Sequence, residues 1–404
     1  MVYSGIDAVD EVLDYPFPDD GKPGIPAEFH QLRATCPVQR ARLPFGGEGW
    51  LVSRHADVKA VLGDPRFSRA ATVDADIPRT TQWRTQPGNL MAMDAPDHTR
   101  VRRLVAGVFS RKGAERLRPR TTEIVEELVG GMRAAGPPAD LVERFSAPLP
   151  VMVICELLGV PFAQWHLFRG YSETMLSGGT TTPEEVARAS AQLDAFLREH
   201  VASRRLEPRD DLLSDIIRAG SGDDAPLTEH ELVTLGVTIL VAGHETTAQA
   251  IANYVHTLLV RGSWAELAAH PERLPTAVNE LLRYVPIGGA ETMPRVATED
   301  VEVAGVVVRA GETVLPVLGS ANLDGAVFAD PDDLNLERTA NPHMAFGFGP
   351  HYCLGAQLAI MELEVGLGAL LRDFPDLRLA VPEAEIPWRS NNLVRGPRQL
   401  MVAW

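Results

Sequence analysis

Cysteine is scarce in this chain of 404 residues, with three in all, Cys36, Cys155 and Cys353. That is too few for a disulfide framework at this length and fits a reducing compartment. The N-terminus has no basic start followed by an apolar core, so a leader and export are not expected and the cytoplasm is. No run is apolar enough for a membrane span, which needs about 20 mostly apolar residues in a row. The most apolar stretch, Leu232 to Val260, is interrupted by His244, Glu245, Gln249 and Asn253 and reads as a buried core helix. Positive charge is short as well. With 38 Lys and Arg against 54 Asp and Glu the formal charge is −16, which argues against nucleic acid or an anionic membrane as partner. Ser/Gly linkers and internal repeats are absent, so one unit over residues 1–404 is expected, working as a monomer.

What is present is an ordinary globular composition, 45% hydrophobic and 23% charged, able to bury a large core. Apolar residues at spacings of three and four predict helices over Ala56 to Leu62, Arg111 to Ala135, Pro148 to Leu158, Pro183 to Arg205, Glu229 to Val260 and Leu274 to Tyr284. Runs rich in β-branched residues predict short strands at Val38 to Leu43, Gly49 to Ser53, Val301 to Val308 and Glu312 to Val317. The fold class is therefore mainly α with a small β-sheet region. Two polar loops, Ala71 to Leu90 and Ser177 to Pro183, have the length and composition of lids or binding segments.

The three cysteines differ in setting. Cys155 sits in an apolar run and reads as a small buried hydrophobe. Cys36 precedes Pro37 with nothing reactive around it. Cys353 stands in Ala345-Phe346-Gly347-Phe348-Gly349-Pro350-His351-Tyr352-Cys353-Leu354-Gly355-Ala356, just ahead of a helical pattern from Gln357 to Leu371. A helix start offers N–H groups and a positive dipole end that favour a thiolate, the form that ligates metal. The glycines allow close approach of a flat cofactor. A dinucleotide loop is a poor reading, because Tyr352 occupies the third glycine position and no strand leads in. A cysteine hydrolase needs a partnered base, and His351 is too near in sequence to serve.

Phe346-Gly-Phe-Gly-Pro-His351-Tyr-Cys353-Leu-Gly355 resembles the haem-binding loop of cytochromes P450, and the likeness runs from Trp50-Leu-Val-Ser-Arg-His through Asp64-Pro-Arg-Phe-Ser to Arg395-Gly-Pro. It implies the P450 fold, with haem b between the Cys353 loop and the long helix through Gly243. Cys353 is then the iron ligand, with Phe346, Gly347 and Gly355 around it and His351 on a haem propionate. Asp97-His98-Thr-Arg-Val-Arg102 places an imidazole and a guanidinium four apart, on one helical face. The resemblance assigns His98, Arg102, Arg295 and His351 to the two propionates. One departure is Leu323, where the family commonly has Arg, which touches a local surface or proximal contact.

Glu280 and Arg283, three apart, share a helix face as an ion pair. By resemblance they form the family's buried structural pair, closed by Arg338. In Ala242-Gly243-His244-Glu245-Thr246-Thr247 a glycine and polar residues interrupt an apolar helix at a cost in stability, which points to function. A zinc helix is excluded because the second ligand position of His-Glu-x-x-His holds Ala248. The resemblance places Ala242 and Gly243 beside the oxygen groove and gives proton delivery to Glu245 and Thr246.

The implied activity is monooxygenation: one atom of O2 enters a C–H or C=C bond, with electrons from ferredoxin and ferredoxin reductase. A haem-thiolate peroxygenase and a haem-binding sensor are the alternatives. Substrate contacts are expected from Leu90, Met91, Val237, Leu240, Val241, Ile287, Ala290, Asn392 and Leu393, a largely apolar set that suits a bulky small molecule of macrolide or polyketide type. Between Arg100 and Arg120 eight basic residues (Arg100, Arg102, Arg103, Arg111, Lys112, Arg116, Arg118, Arg120) face one acid, Glu115. An acidic ferredoxin docking there is expected from that local excess.

Overall fold

The computed structural model describes the chain apart from residues 1–10, 19–20, 74, 81–83, 85, 161–169, 173, 176–180, 221–226, 289–293 and 390–392. Its helices are α1 (Glu28–Thr35), α2 (His55–Gly63), α3 (Asp97–Ala106), α4 (Arg111–Ala135), α5 (Pro148–Leu158), α6 (Pro183–Leu206) and α7 (Leu212–Gly220). The second half adds α8 (Glu229–Val260), α9 (Trp264–Ala269), α10 (Leu274–Tyr284), the single turn α11 (Leu318–Ala321) and α12 (Ala356–Asp373). The helix α8 opens on a reciprocal cap: Glu231 N–H donates to Thr228 Oγ1 (3.1 Å) and Thr228 N–H to Glu231 Oε2 (2.8 Å). Such a cap is worth about 1 kcal/mol. Arg100 of α3 pairs with the same Glu231, tying the two helices.

Helices α5, α6 and α12 pack against α8. Its residues Ile251, Val255 and Leu258 lie fully inside. Burying each such side chain contributes about 1.5–3 kcal/mol. Helix α4 continues through Pro119, which removes one backbone donor, and its apolar face against α12 holds the helix together there.

Eleven short strands are seen among the described residues, of which six form the main sheet. They are β1 (Leu13–Asp14), β2 (Val38–Arg42), β3 (Glu48–Val52), β4 (Phe67–Ser68), β5 (Ala139–Asp140), β6 (Arg295–Ala297), β7 (Val301–Val303), β8 (Val306–Val308), β9 (Thr313–Pro316), β10 (Arg378–Leu379) and β11 (Met401–Ala403). The main sheet has the order β1-β2-β3-β9-β6-β4. Antiparallel β4 and β6 pair Ser68 with Val296 and so bring Arg69 beside Arg295. The run Val301 to Val308, expected as one strand, is a hairpin, because Ala304 (φ 48°) and Gly305 (φ 83°) turn the chain between β7 and β8. Leu323, where the family commonly has Arg, is a core residue, 7% exposed, as suits its apolar side chain. No helix of the described residues is long and apolar enough to cross a membrane.

Candidate active site

The Cys353 loop is a tight turn delivered onto the start of α12. Cys353 N–H donates to Phe346 O (2.8 Å), and Gly347 and Gly349 take φ of 74° and 73°, a region where a side chain is strained. A Cβ at Gly349 would lie 2.8 Å from Leu62 O of α2, so this glycine is also required for close approach. The Cys353 side chain is reached from an open space, although protein surrounds it. Burial pushes its thiol above the ordinary value, while the Gly355 N–H and Arg102 oppose the shift. A bound metal ion would work against that burial, since it deprotonates a coordinating thiol outright.

In α8 the pattern of exposure changes at one place. Residues 232–237, 239–240 and 247–258 are buried, yet Ala242 is exposed and Thr238, Val241, Gly243 and Thr246 are partly so. Thr238, Ala242 and Thr246 recur every four residues, one helical face that opens on a space. Thr246 Oγ1 donates to Ala242 O (2.7 Å), satisfying the hydroxyl within the helix. Gly243 has a packing reason too, because a Cβ there would stand 2.5 Å from Ile154 Cδ1 of α5.

Glu245 points away from that face. Its carboxylate accepts from Arg389 and from Gln249 Nε2 (3.4 Å), with His244 Nε2 at 3.9 Å from the other oxygen. Arg389 was not anticipated from the sequence, and no motif there marks it.

A cation cluster forms where α3, β4, β6 and the Cys353 loop meet. The His98 and His351 rings lie 4.3 Å apart, and Arg102 donates to Tyr352 O (2.6 Å). Burial, then His98, Arg295, Arg69 and Arg102, drive His351 down to about 2. Burial lowers Arg295 to about 10, with Asp94 opposing. Within this buried group His98 Nε2 and Arg295 Nε and NH2 have no hydrogen-bond partner among the described residues. Orphaned donors of this kind mark a place for an anion. Arg69 is a further member, one residue beyond the segment Asp64-Pro-Arg-Phe-Ser.

The Cytochrome P450 family model matches residues 269–403 of the chain. Nocardicin C N-oxygenase of Nocardia uniformis subsp. tsuyamanensis is 49% identical over 396 residues, covering 98% of this chain and 99% of that protein. The chain belongs to the cytochrome P450 family. Mycinamicin IV hydroxylase/epoxidase of Micromonospora griseorubida is 46% identical, with 96% of this chain and 98% of that protein covered. The crystal structure of HinD with NMFT and NO superposes with a TM-score of 0.94 at 45% identity, covering 98% of this chain and 100% of that one. This P450 is accordingly a haem-dependent monooxygenase, an oxidoreductase with the mainly α P450 fold.

The residues fit haem. Cys353 is an accessible sulfur beside a helix start, the α8 face opens at Ala242, and the orphaned nitrogens of His98 and Arg295 suit propionates. Nearby, Glu280 is wholly buried between Arg283 (Nε 2.8 Å, NH2 2.7 Å) and Arg338 (Nε 3.0 Å), and accepts also from Asn335 N (2.9 Å) and Asn341 Nδ2 (3.2 Å). Arg283 reaches on to Asn322 O (3.0 Å), while Asn322 Oδ1 receives Met344 N–H (2.7 Å) just before the Cys353 loop. This ties the ion network in the P450 core to the loop.

The expected substrate positions divide. Met91, Val241, Ile287 and Leu393 are partly open, whereas Leu90, Val237 and Leu240 are buried in packing. The accessible neighbour of Val237 is Thr238, legible in the four-residue spacing from Ala242. Ala290 and Asn392 lie outside the described residues, as does part of each expected loop, 71–90 and 177–183. A separate cleft of about 510 Å³, lined by Pro18, Lys22, Pro23, Gly24, Ile25, Pro26 and Arg395, contains none of these side chains.

Proposed function

We propose that this P450 holds haem b through Cys353 and inserts one oxygen atom from O2, as a hydroxyl or epoxide, into a bulky, largely apolar secondary metabolite of macrolide or polyketide type. The observation that carries this reading is the open face Thr238, Ala242 and Thr246 in a helix otherwise shut by packing. A relative named for mycinamicin IV supports the macrolide type, and one named for nocardicin C supports a secondary metabolite more broadly. The bound haem supplies oxygen activation, which a thiolate ligand favours. Ala242 leaves room on that face, and Thr246 presents a hydroxyl there. Glu245, paired with Arg389, holds the nearest buried carboxylate for proton supply. Val241, Met91 and Ile287 exclude water around an apolar ligand. Two electrons and two protons enter, and the second oxygen atom leaves as water.

The electrons come from ferredoxin and its reductase, and the protein works as a monomeric cytoplasmic enzyme, one unit over its 404 residues. The basic segment resolves into two groups. Arg100, Arg102, Arg118 and Arg120 are engaged with Glu231, Tyr352 O, Glu115 and Glu364, and Glu123 and Glu156. Arg103, Arg111, Lys112 and Arg116 are exposed and make no ion pair among the described residues. The Arg102 to Tyr352 bond joins α3, which carries Arg103, to the Cys353 loop with its exposed Phe348 and Tyr352, a mixed surface suited to an acidic donor. Reversing Arg103, Arg111 and Lys112 to Glu slows reduction by an acidic ferredoxin at low salt and leaves substrate binding intact.

The deciding experiment is the carbon monoxide spectrum of the reduced protein, which shows the thiolate-haem band and loses it in Cys353→His. Turnover under labelled O2 with ferredoxin and reductase then places one labelled atom in the product. Product from hydrogen peroxide alone marks a peroxygenase, and a haem spectrum without product marks a sensor.

A further inference from the structure

The cation cluster is not neutralised within the protein. Arg69, Arg102 and Arg295 carry three permanent charges, and Asp94 is the one carboxylate that acts on the cluster among the described residues. Two positive charges are left unmatched, and the haem carries two propionates. Counting only Arg102 and Arg295 would leave one charge for two carboxylates. We propose that Arg69 is the third guanidinium of the propionate pocket, binding the haem and setting its charge balance, a reading that rests on the haem assignment above.

The geometry supports this role. Arg69 is 2% exposed and stands next to Arg295 through the pairing of Ser68 with Val296. Its N–H is held by Asp94 Oδ1 (2.9 Å), its Nε by Met91 O (2.7 Å) and its NH1 by Pro294 O. Nε and NH1 are thus committed to carbonyls, and NH2 is the nitrogen left to meet an anion. Burial beside Arg295 brings Arg69 down to about 9, and a neighbouring anion reverses that shift. Two carbonyls fix the side chain, so it is preorganised for a carboxylate. Those carbonyls belong to Met91 and to Pro294, next to two segments from which substrate contacts are expected, so the same side chain braces both.

The test compares R69Q and R69K with the parent holoenzyme by haem transfer to apomyoglobin and by the ferric/ferrous midpoint potential. Losing a cation near the iron favours the ferric state. R69Q therefore releases haem several-fold faster and has a more negative potential, while R69K keeps the parent potential at neutral pH. Should R69Q not fold, R69K still decides: lysine loses its proton at a pH where arginine does not, about 10 or below when buried. Its potential then falls away from that of the parent as the solution is made alkaline. R69Q with the parent potential, or R69K tracking the parent at every pH, overturns the proposal and leaves Arg69 a strut between two carbonyls. Failure of the haem reading is distinct, because the parent would then lack the thiolate-haem band.

Discussion

Arg389, from the C-terminal segment, donates to the Glu245 carboxylate in the middle of α8, with both side chains under a tenth exposed. The acid and the alcohol of the catalytic helix are thus both engaged, Glu245 with Arg389 and Thr246 with the Ala242 carbonyl. In the proposed mechanism, proton supply through these residues requires one of these contacts to loosen.

Removing Arg389 strands a buried carboxylate. R389Q is expected to lose about 3–5 kcal/mol of stability, the usual cost of breaking a buried pair. E245Q in the same chain removes the stranded charge, so the double variant unfolds at higher urea than R389Q. A double variant no more stable than R389Q would show that the pair is not the source of the loss.

Thr246 lies on the open face, and its hydroxyl bonds only within its own helix. T246A is expected to fold and to bind haem and substrate like the parent, but to release more peroxide per electron consumed. Peroxide and product measured against electron donor check this, and unchanged coupling removes Thr246 from the mechanism.

Glu280 is the single carboxylate between Arg283 and Arg338. E280Q leaves two buried guanidiniums without their counter-ion and costs about 3–5 kcal/mol. Because Arg283 leads through Asn322 to Met344, haem occupancy of the purified protein falls with it. Full occupancy and parental stability in E280Q would contradict this coupling.

Glu362 of α12 is 1% exposed, its Oε2 has no partner among the described residues, and burial raises its carboxyl well above the ordinary range. A raised folded value means that the native state holds the proton more tightly than the unfolded chain. Stability is therefore lost as pH climbs through the unfolded value of about 4.3 towards the folded one. E362Q is expected to be more stable than the parent at neutral pH and equal to it in acid below about pH 4, where both states bind the proton. Unfolding curves across that range check the sign; a gain that is the same at every pH would contradict it.

Local pattern made much of this protein readable. Helices α4, α5, α8 and α10 begin and end where their apolar spacing does, because a helix's buried stripe is written in neighbouring residues. The hairpin at Ala304 and Gly305 was hidden by the valine-rich segments Val301-Glu-Val303 and Val306-Val-Val308 on its two sides, which read as one continuous strand. Val237 was expected on the open face in place of Thr238 because apolar type alone does not say which side of a buried helix meets packing and which meets a space.

The amino-acid sequence by itself determined the ligand loop around Cys353, the polar break Ala242 to Thr247 and the pair Glu280 and Arg283, since each is a local spacing of chemically distinctive residues. Only the tertiary structure decided that Arg389 holds Glu245 and that Arg69 joins Arg295, through contacts spanning 144 positions in the first case and a strand pairing in the second. Burial and Coulomb energy depend on which distant groups share a low-dielectric space, and that sharing exists only once the chain has folded.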